Sequence, residues 1–147
     1  MRSALLIIAV LLLSVAGRCQ VPQLISDIAT GDSSSRFGQY IVYGHKLLFE
    51  LYPGQLWITD GTAGGTQLVK TFPDYSEPKS FVICNNKVYF IGVDSLYGQE
   101  LWVTDGTTPG TQMVKDIRPG PFSALYGNIA VMNNKLYFAA NDSLHGS

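Results

Sequence analysis

Residues 55–70 (QLWITDGTAGGTQLVK) return 45 positions later as residues 100–115 (ELWVTDGTTPGTQMVK), with eleven of sixteen positions identical. A second match sets residues 80–98 (SFVICNNKVYFIGVDSLYG) over 128–146 (NIAVMNNKLYFAANDSLHG), with nine identities in nineteen at an offset of 48. A third, degenerate copy at residues 40–49 (YIVYGHKLLF) keeps the order of apolar run, turn, Lys and apolar run. A period of this length restricts the fold to stacked units, each burying its apolar faces against its neighbours, as in solenoids, propellers and arrays.

Within one unit the strands follow from local chemistry. Residues 81–84 and 87–91 are β-rich runs joined by Asn85-Asn86, two residues that tolerate positive φ, which marks a tight hairpin. The device recurs at Asn133-Asn134 and as Gly44-His45 in the first copy. A loop at 94–99, a strand at 101–104, a turn-rich segment DGTTPG at 105–110 and a strand at 111–117 complete the unit. Val88, Tyr89, Phe90 and Ile91 are apolar on both faces, so this strand should be covered on both sides. Fifteen Gly and seven Pro suit a chain with this many turns. The expected fold is all-β: antiparallel four-stranded repeats in a partial β-propeller-like array, about two and a half blades with the last one truncated. Closed propellers typically use 4–8 blades, so the chain is expected to be a fragment that exposes the apolar face of Leu136 and Phe138.

Residues 1–19 have the form of a signal peptide. Arg2 supplies the positive start, residues 4–15 are apolar but for Ser14, and Ser14, Ala16, Gly17 and Cys19 are small. Cleavage after Ala16, Gly17 or Cys19 is compatible with this pattern. The apolar run is shorter than the ~20 residues of a spanning helix, so no membrane span is expected after cleavage. Arg18 disfavours lipidation of Cys19. Residues 20–147 then form the β-repeat region, with 8 basic and 11 acidic residues and net charge −3. No basic stripe is present to serve nucleic acid. With Cys19 and Cys84 the only cysteines, neither a disulfide framework nor a zinc cluster is available. Cys84, after Val82 and Ile83, reads as a small buried hydrophobe.

Glu100-Leu101-Trp102-Val103-Thr104-Asp105-Gly106-Thr107, followed by Gly110-Thr111, Val114-Lys115-Asp116-Ile117 and Pro119-Gly120, resembles the ELWxxDGT repeat family. The first copy matches over residues 56–62, but Gln55 replaces the Glu and Thr71-Phe72 the Asp-Ile. Residues 24–28 resemble the end of a preceding copy. The resemblance implies secreted bacterial repeat proteins of propeller-like fold, without an assigned activity.

Candidate chemistry centres on the recurring turns. In Asp60-Gly61-Thr62 and Asp105-Gly106-Thr107 a short carboxylate can accept backbone N–H bonds two or three residues on and pin the loop, with Thr66 and Thr111 adding local bonds. Calcium wants several oxygens close together, and each turn offers one carboxylate, so a structural role is favoured. The turn resembles the Asp-box of sialidase-type propellers but carries its Trp before the Asp. Trp57 and Trp102 recur at one strand register, which favours packing between sheets in equivalent buried environments over sugar stacking. Asp94 with Glu100 is a weak metal pair against a loop shaped by Gly98. His45 and His145 share no context, and no catalytic set assembles. The expected function is a secreted or cell-surface repeat protein acting as a binding or adhesion module, with no cofactor, and with an extracellular protein or glycan as partner. Part of a propeller-type extracellular hydrolase and a purely structural spacer are the alternatives.

Overall fold

The computed structural model describes residue 28, residues 36–73 and residues 76–144. The signal segment and the His145 position lie outside these residues. Ten strands and no helix occur among them: β1 (Phe37–Tyr43), β2 (Lys46–Leu51), β3 (Gln55–Thr59), β4 (Gln67–Thr71), β5 (Lys79–Cys84), β6 (Lys87–Asp94), β7 (Gly98–Thr104), β8 (Gln112–Lys115), β9 (Ala130–Met132) and β10 (Lys135–Tyr137). β1–β4 form one four-stranded sheet and β5–β8 a second, each strand hydrogen-bonded to its chain neighbours, while β9 and β10 form a hairpin. All pairings are antiparallel. No sheet closes on itself.

The four strands expected for the second copy are β5–β8, with different bounds: β5 begins at Lys79, β6 runs on to Asp94 and β7 begins at Gly98, so the loop expected at 94–99 shortens to residues 95–97. The last strand is Gln112–Lys115 instead of 111–117. The Thr111 hydroxyl belongs to the preceding turn, and the N–H groups of Ile117 and Arg118 leave the ladder to reach a side chain, Glu100.

The hairpin tips take the predicted backbone. Asn85 and Asn86 have φ of 49° and 55°, and Asn133 and Asn134 of 51° and 55°. Left-handed φ at both central residues is what a type I′ turn needs, and its twist matches the flanking strands. At the first tip only Gly44 is left-handed (φ 62°), and His45 is not.

Period-2 alternation assigns the faces. Leu48, Leu56, Ile58 and Val69 from the first sheet meet Val88, Phe90 and Trp102 from the second, with Phe72 between them. The opposite face of the second sheet, through Ile91 and Leu101, packs on Ala124, Leu125 and Ile129 of the third unit. Leu56 therefore stands to the second sheet as Leu101 stands to the third unit. β6 is covered on both faces, as its apolar run requires: Val88, Phe90 and Ile91 are fully buried. Leu136 packs on this second core, contrary to its expected exposure, while Phe138 and Tyr137 remain exposed.

The first strands of the units also neighbour one another, β1 beside β5 and β5 beside β9. Gln39, Ser80 and Asn128 are equivalent positions in the three copies, and they join hands there. Gln39 Oε1 accepts the Ser80 N–H at 2.8 Å, and Ser80 Oγ lies 3.2 Å from Asn128 Oδ1 and 3.3 Å from the Gly127 carbonyl. Ser80 has φ of 59°, a conformation uncommon outside Gly, Asn and Asp. It lies within the register shift between Lys79 and Val82; β1 has the same irregularity between Phe37 and Tyr40.

Candidate functional site: the edge formed by the DGT turns

Each DGT turn is held by a closed set of hydrogen bonds that begins in the strand before it. Thr59 Oγ1 accepts the Gly61 N–H (3.0 Å) and lies 2.7 Å from Thr66 Oγ1. Thr66 Oγ1 donates to the Thr62 carbonyl at 2.7 Å. Since a hydroxyl has one hydrogen, Thr59 must be the donor to Thr66. Asp60 Oδ1 accepts both the N–H (2.9 Å) and the hydroxyl (2.7 Å) of Thr62, whose oxygen accepts the Gly65 N–H at 3.0 Å. In the second sheet Thr104, Asp105, Thr107, Gly110 and Thr111 repeat every bond to within 0.1 Å.

The glycines have separate duties. Gly61 and Gly106 both have φ of 89°, and a Cβ on Gly106 would also run into Ile58 of the first sheet. Gly65 and Gly110 leave room for the carboxylates of Asp60 and Asp105. The hydrogen bonds from Thr62 and Thr107, side chain first and backbone second, hold both aspartates below the usual carboxylate pKa, with smaller help from Lys46 and Lys87. Strand register explains those lysines. Leu47 pairs with Thr59 and Val88 with Thr104, so Lys46 sits across from Asp60 and Lys87 across from Asp105.

Stacking of the two sheets sets their turns side by side around a cleft of about 660 Å³. Lys46, Asp60 and Gln67 line it from the first sheet, and Thr107, Thr108 and Pro109 from the second. The hairpin tips cluster similarly: Tyr43 Oη donates to the Asn86 carbonyl at 2.7 Å, and Asn85 Nδ2 lies 3.5 Å from the Asn134 carbonyl.

The two tryptophans are not equivalent, which corrects the expectation drawn from their register. Trp102 is buried against Phe72, with ring centroids 5.2 Å apart and planes at 82°, and Lys70 Nζ lies 4.8 Å from its centroid. Gly92 makes room for it. Trp57 is half-buried beside Phe49 and Leu51. The residue two positions earlier explains part of the difference. Gln55 accepts the Trp57 Nε1–H at 2.9 Å, whereas Glu100 is engaged elsewhere and Trp102 Nε1 has no partner among the described residues.

Glu100 is fully buried and accepts the N–H groups of Ile117 (3.2 Å) and Arg118 (3.3 Å). Burial raises its pKa, Asp116 adds to this, and the two N–H bonds oppose it. Its carboxylate is a tie for the loop after β8; Asp94 instead accepts the Leu96 N–H at 2.8 Å. No group of three or more His, Cys, Asp or Glu side chains placed to hold a metal occurs among the described residues.

Sequence reasoning missed Glu50, a buried carboxyl on β2 whose Oε1 has no partner among the described residues. Its carboxylate fills the space above Gly38, where a Cβ would collide with it. Burial pushes its pKa up to about 7; Glu77 reinforces the shift, while Arg36 and the Gln39 N–H oppose it. Arg36 and Glu77 form an exposed ion pair at 2.9 Å. Cys84 is buried with a free thiol. No described helix is long and apolar enough to cross a membrane. No protein-family model, curated protein or solved structure matches the chain.

Proposed function

We propose that the chain is an exported, propeller-type repeat module of the ELWxxDGT kind, acting at the cell surface or outside the cell as a non-catalytic binding or adhesion module. The observation that carries this reading is the recurrence of one rigid turn along one edge of successive sheets. Each of the two units carries a Lys across from its turn Asp, so the edge presents the same small set of groups more than once. Repeat arrays use such extended, periodic surfaces for recognition. The junction of β1, β5 and β9 supports a radial arrangement, since equivalent positions of three units meet there. The carboxylates of the edge are engaged in holding turns, which favours recognition over proton transfer.

The test is surface plasmon resonance of the purified chain against panels of extracellular matrix proteins and glycans, run beside glycosidase, esterase and phosphatase assays. Saturable binding without turnover is expected. Turnover lost on Asp60→Asn in a folded protein would assign an enzyme.

A further inference from the structure

The cleft between neighbouring DGT turns has a donor and acceptor pattern that selects a ligand class. Resting on the binding-module reading, we infer that it is a subsite for a neutral, hydroxyl-rich ligand, a glycan unit. Its volume, about 660 Å³, lies within the range of roughly 300–1,000 Å³ typical of small-ligand clefts.

The turn bonds are already satisfied, so a ligand need not reorganise the backbone, and the leftover groups face no internal competition. Both Thr62 bonds go to Asp60 Oδ1, leaving Oδ2 as an acceptor. Gln67 Nε2 is 3.4 Å from the Gly64 carbonyl, which leaves Oε1 as a second acceptor. Lys46 brings an ammonium that makes no ion-pair contact within 4.0 Å among the described residues, and the Thr108 hydroxyl can donate or accept.

Charge decides between ligand classes. The Thr62 bonds keep Asp60 ionised, and Lys46 balances it across the strand pair. A phosphate or sulfate attracted by Lys46 would face the Asp60 carboxylate, and an amine drawn to Asp60 would face the ammonium. Hydroxyl groups both donate and accept, so they satisfy the two charges together. The exposed apolar surface of Leu68 and Pro109 suits the C–H face of a sugar ring. Leu68 is 42% exposed, leaving a contact surface for that face.

The experiment uses the full chain on a printed array of neutral, sialylated and sulfated glycans, followed by calorimetric titration with the strongest neutral oligosaccharide. The comparison is the double variant Lys46→Met/Gln67→Leu, whose side chains are exposed, with its thermal midpoint checked against the parent. Preferred binding to neutral glycans, weakened at least tenfold in a double variant of unchanged midpoint, is the expected result. Should that variant lose its midpoint, Thr108→Ala alone is expected to weaken binding severalfold. Binding confined to sulfated or sialylated glycans, or unaltered in a folded variant, overturns the inference. Saturable binding to a matrix protein with no glycan bound overturns it too, yet leaves the binding-module reading standing. Absence of binding on both panels removes both.

Discussion

Burial raises the pKa of Glu50 from 4.5 to about 7, so the folded chain binds this proton more tightly than the unfolded chain does. The contribution to stability is complete below pH 4.5 and is lost as pH rises through 7. Glu100 shifts in the same direction, whereas Asp60 and Asp105, with depressed values, lose their contribution only as pH falls through the acid range. Melting followed by circular dichroism should therefore give a midpoint several degrees lower at pH 8 than at pH 5, and Glu50→Gln should remove part of that difference. A profile unchanged by the substitution would mean that Glu50 is not the group responsible. At Thr104, fully buried, the hydroxyl both accepts from Gly106 and donates to Thr111. Thr104→Val keeps the shape and strands the Gly106 N–H, at a cost of about 1–3 kcal/mol; urea unfolding should show it, with Thr104→Ser nearer the parent. The Asp-Gly-Thr motif was legible as a turn, but the strand-final Thr was not, because Thr is an ordinary strand residue until its partner in the loop is known. Glu50 had one available signal: it aligns with Ile91, so the repeat itself marks it as a charge at an apolar position.

Among the elements, the hairpins were the most legible, since Asn-Asn between two apolar runs requires a left-handed turn for a reason internal to four residues. Asn86→Val would force a β-branched side chain into a φ of 55°, costing on the order of 1–2 kcal/mol, while Asn86→Gly should be tolerated. Denaturant midpoints of the two variants separate these outcomes. The length of β8 and the difference between the tryptophans were not legible, because both depend on where one carboxylate goes. Glu100 turns away to the loop after β8, and Gln55 turns to its own Trp. Trp102→Ala should cost roughly 3–5 kcal/mol, as for a fully packed aromatic, and Trp57→Ala distinctly less. Equal costs would restore the equivalence that their register suggested.

On the scale of the molecule, the repeat announced stacked sheets, and the two apolar cores on either side of the second sheet are what stacking means physically. The protection this provides is uneven. The first two units have four strands each, while β9 and β10 contribute three residues apiece, and a two-stranded hairpin is marginal by itself. Amide exchange should be fastest in β9 and β10 and slowest in β2, β6 and β7, which lie inside their sheets. Uniform protection would show that the third unit is held as firmly as the others. The linkage through Gln39, Ser80 and Asn128 carries a consequence for how such a chain can change. Three equivalent positions bear three different side chains, and their contacts differ in kind: an amide oxygen meets a main-chain N–H, and a hydroxyl meets a second amide. Duplicating a unit in place would set Gln against Gln or Ser against Ser at that junction, and exchanging two units would change which side chain meets which. The copies share one pattern, but at their point of contact they are distinct parts, and a rearrangement that moved whole units would still have to rebuild this line of contacts.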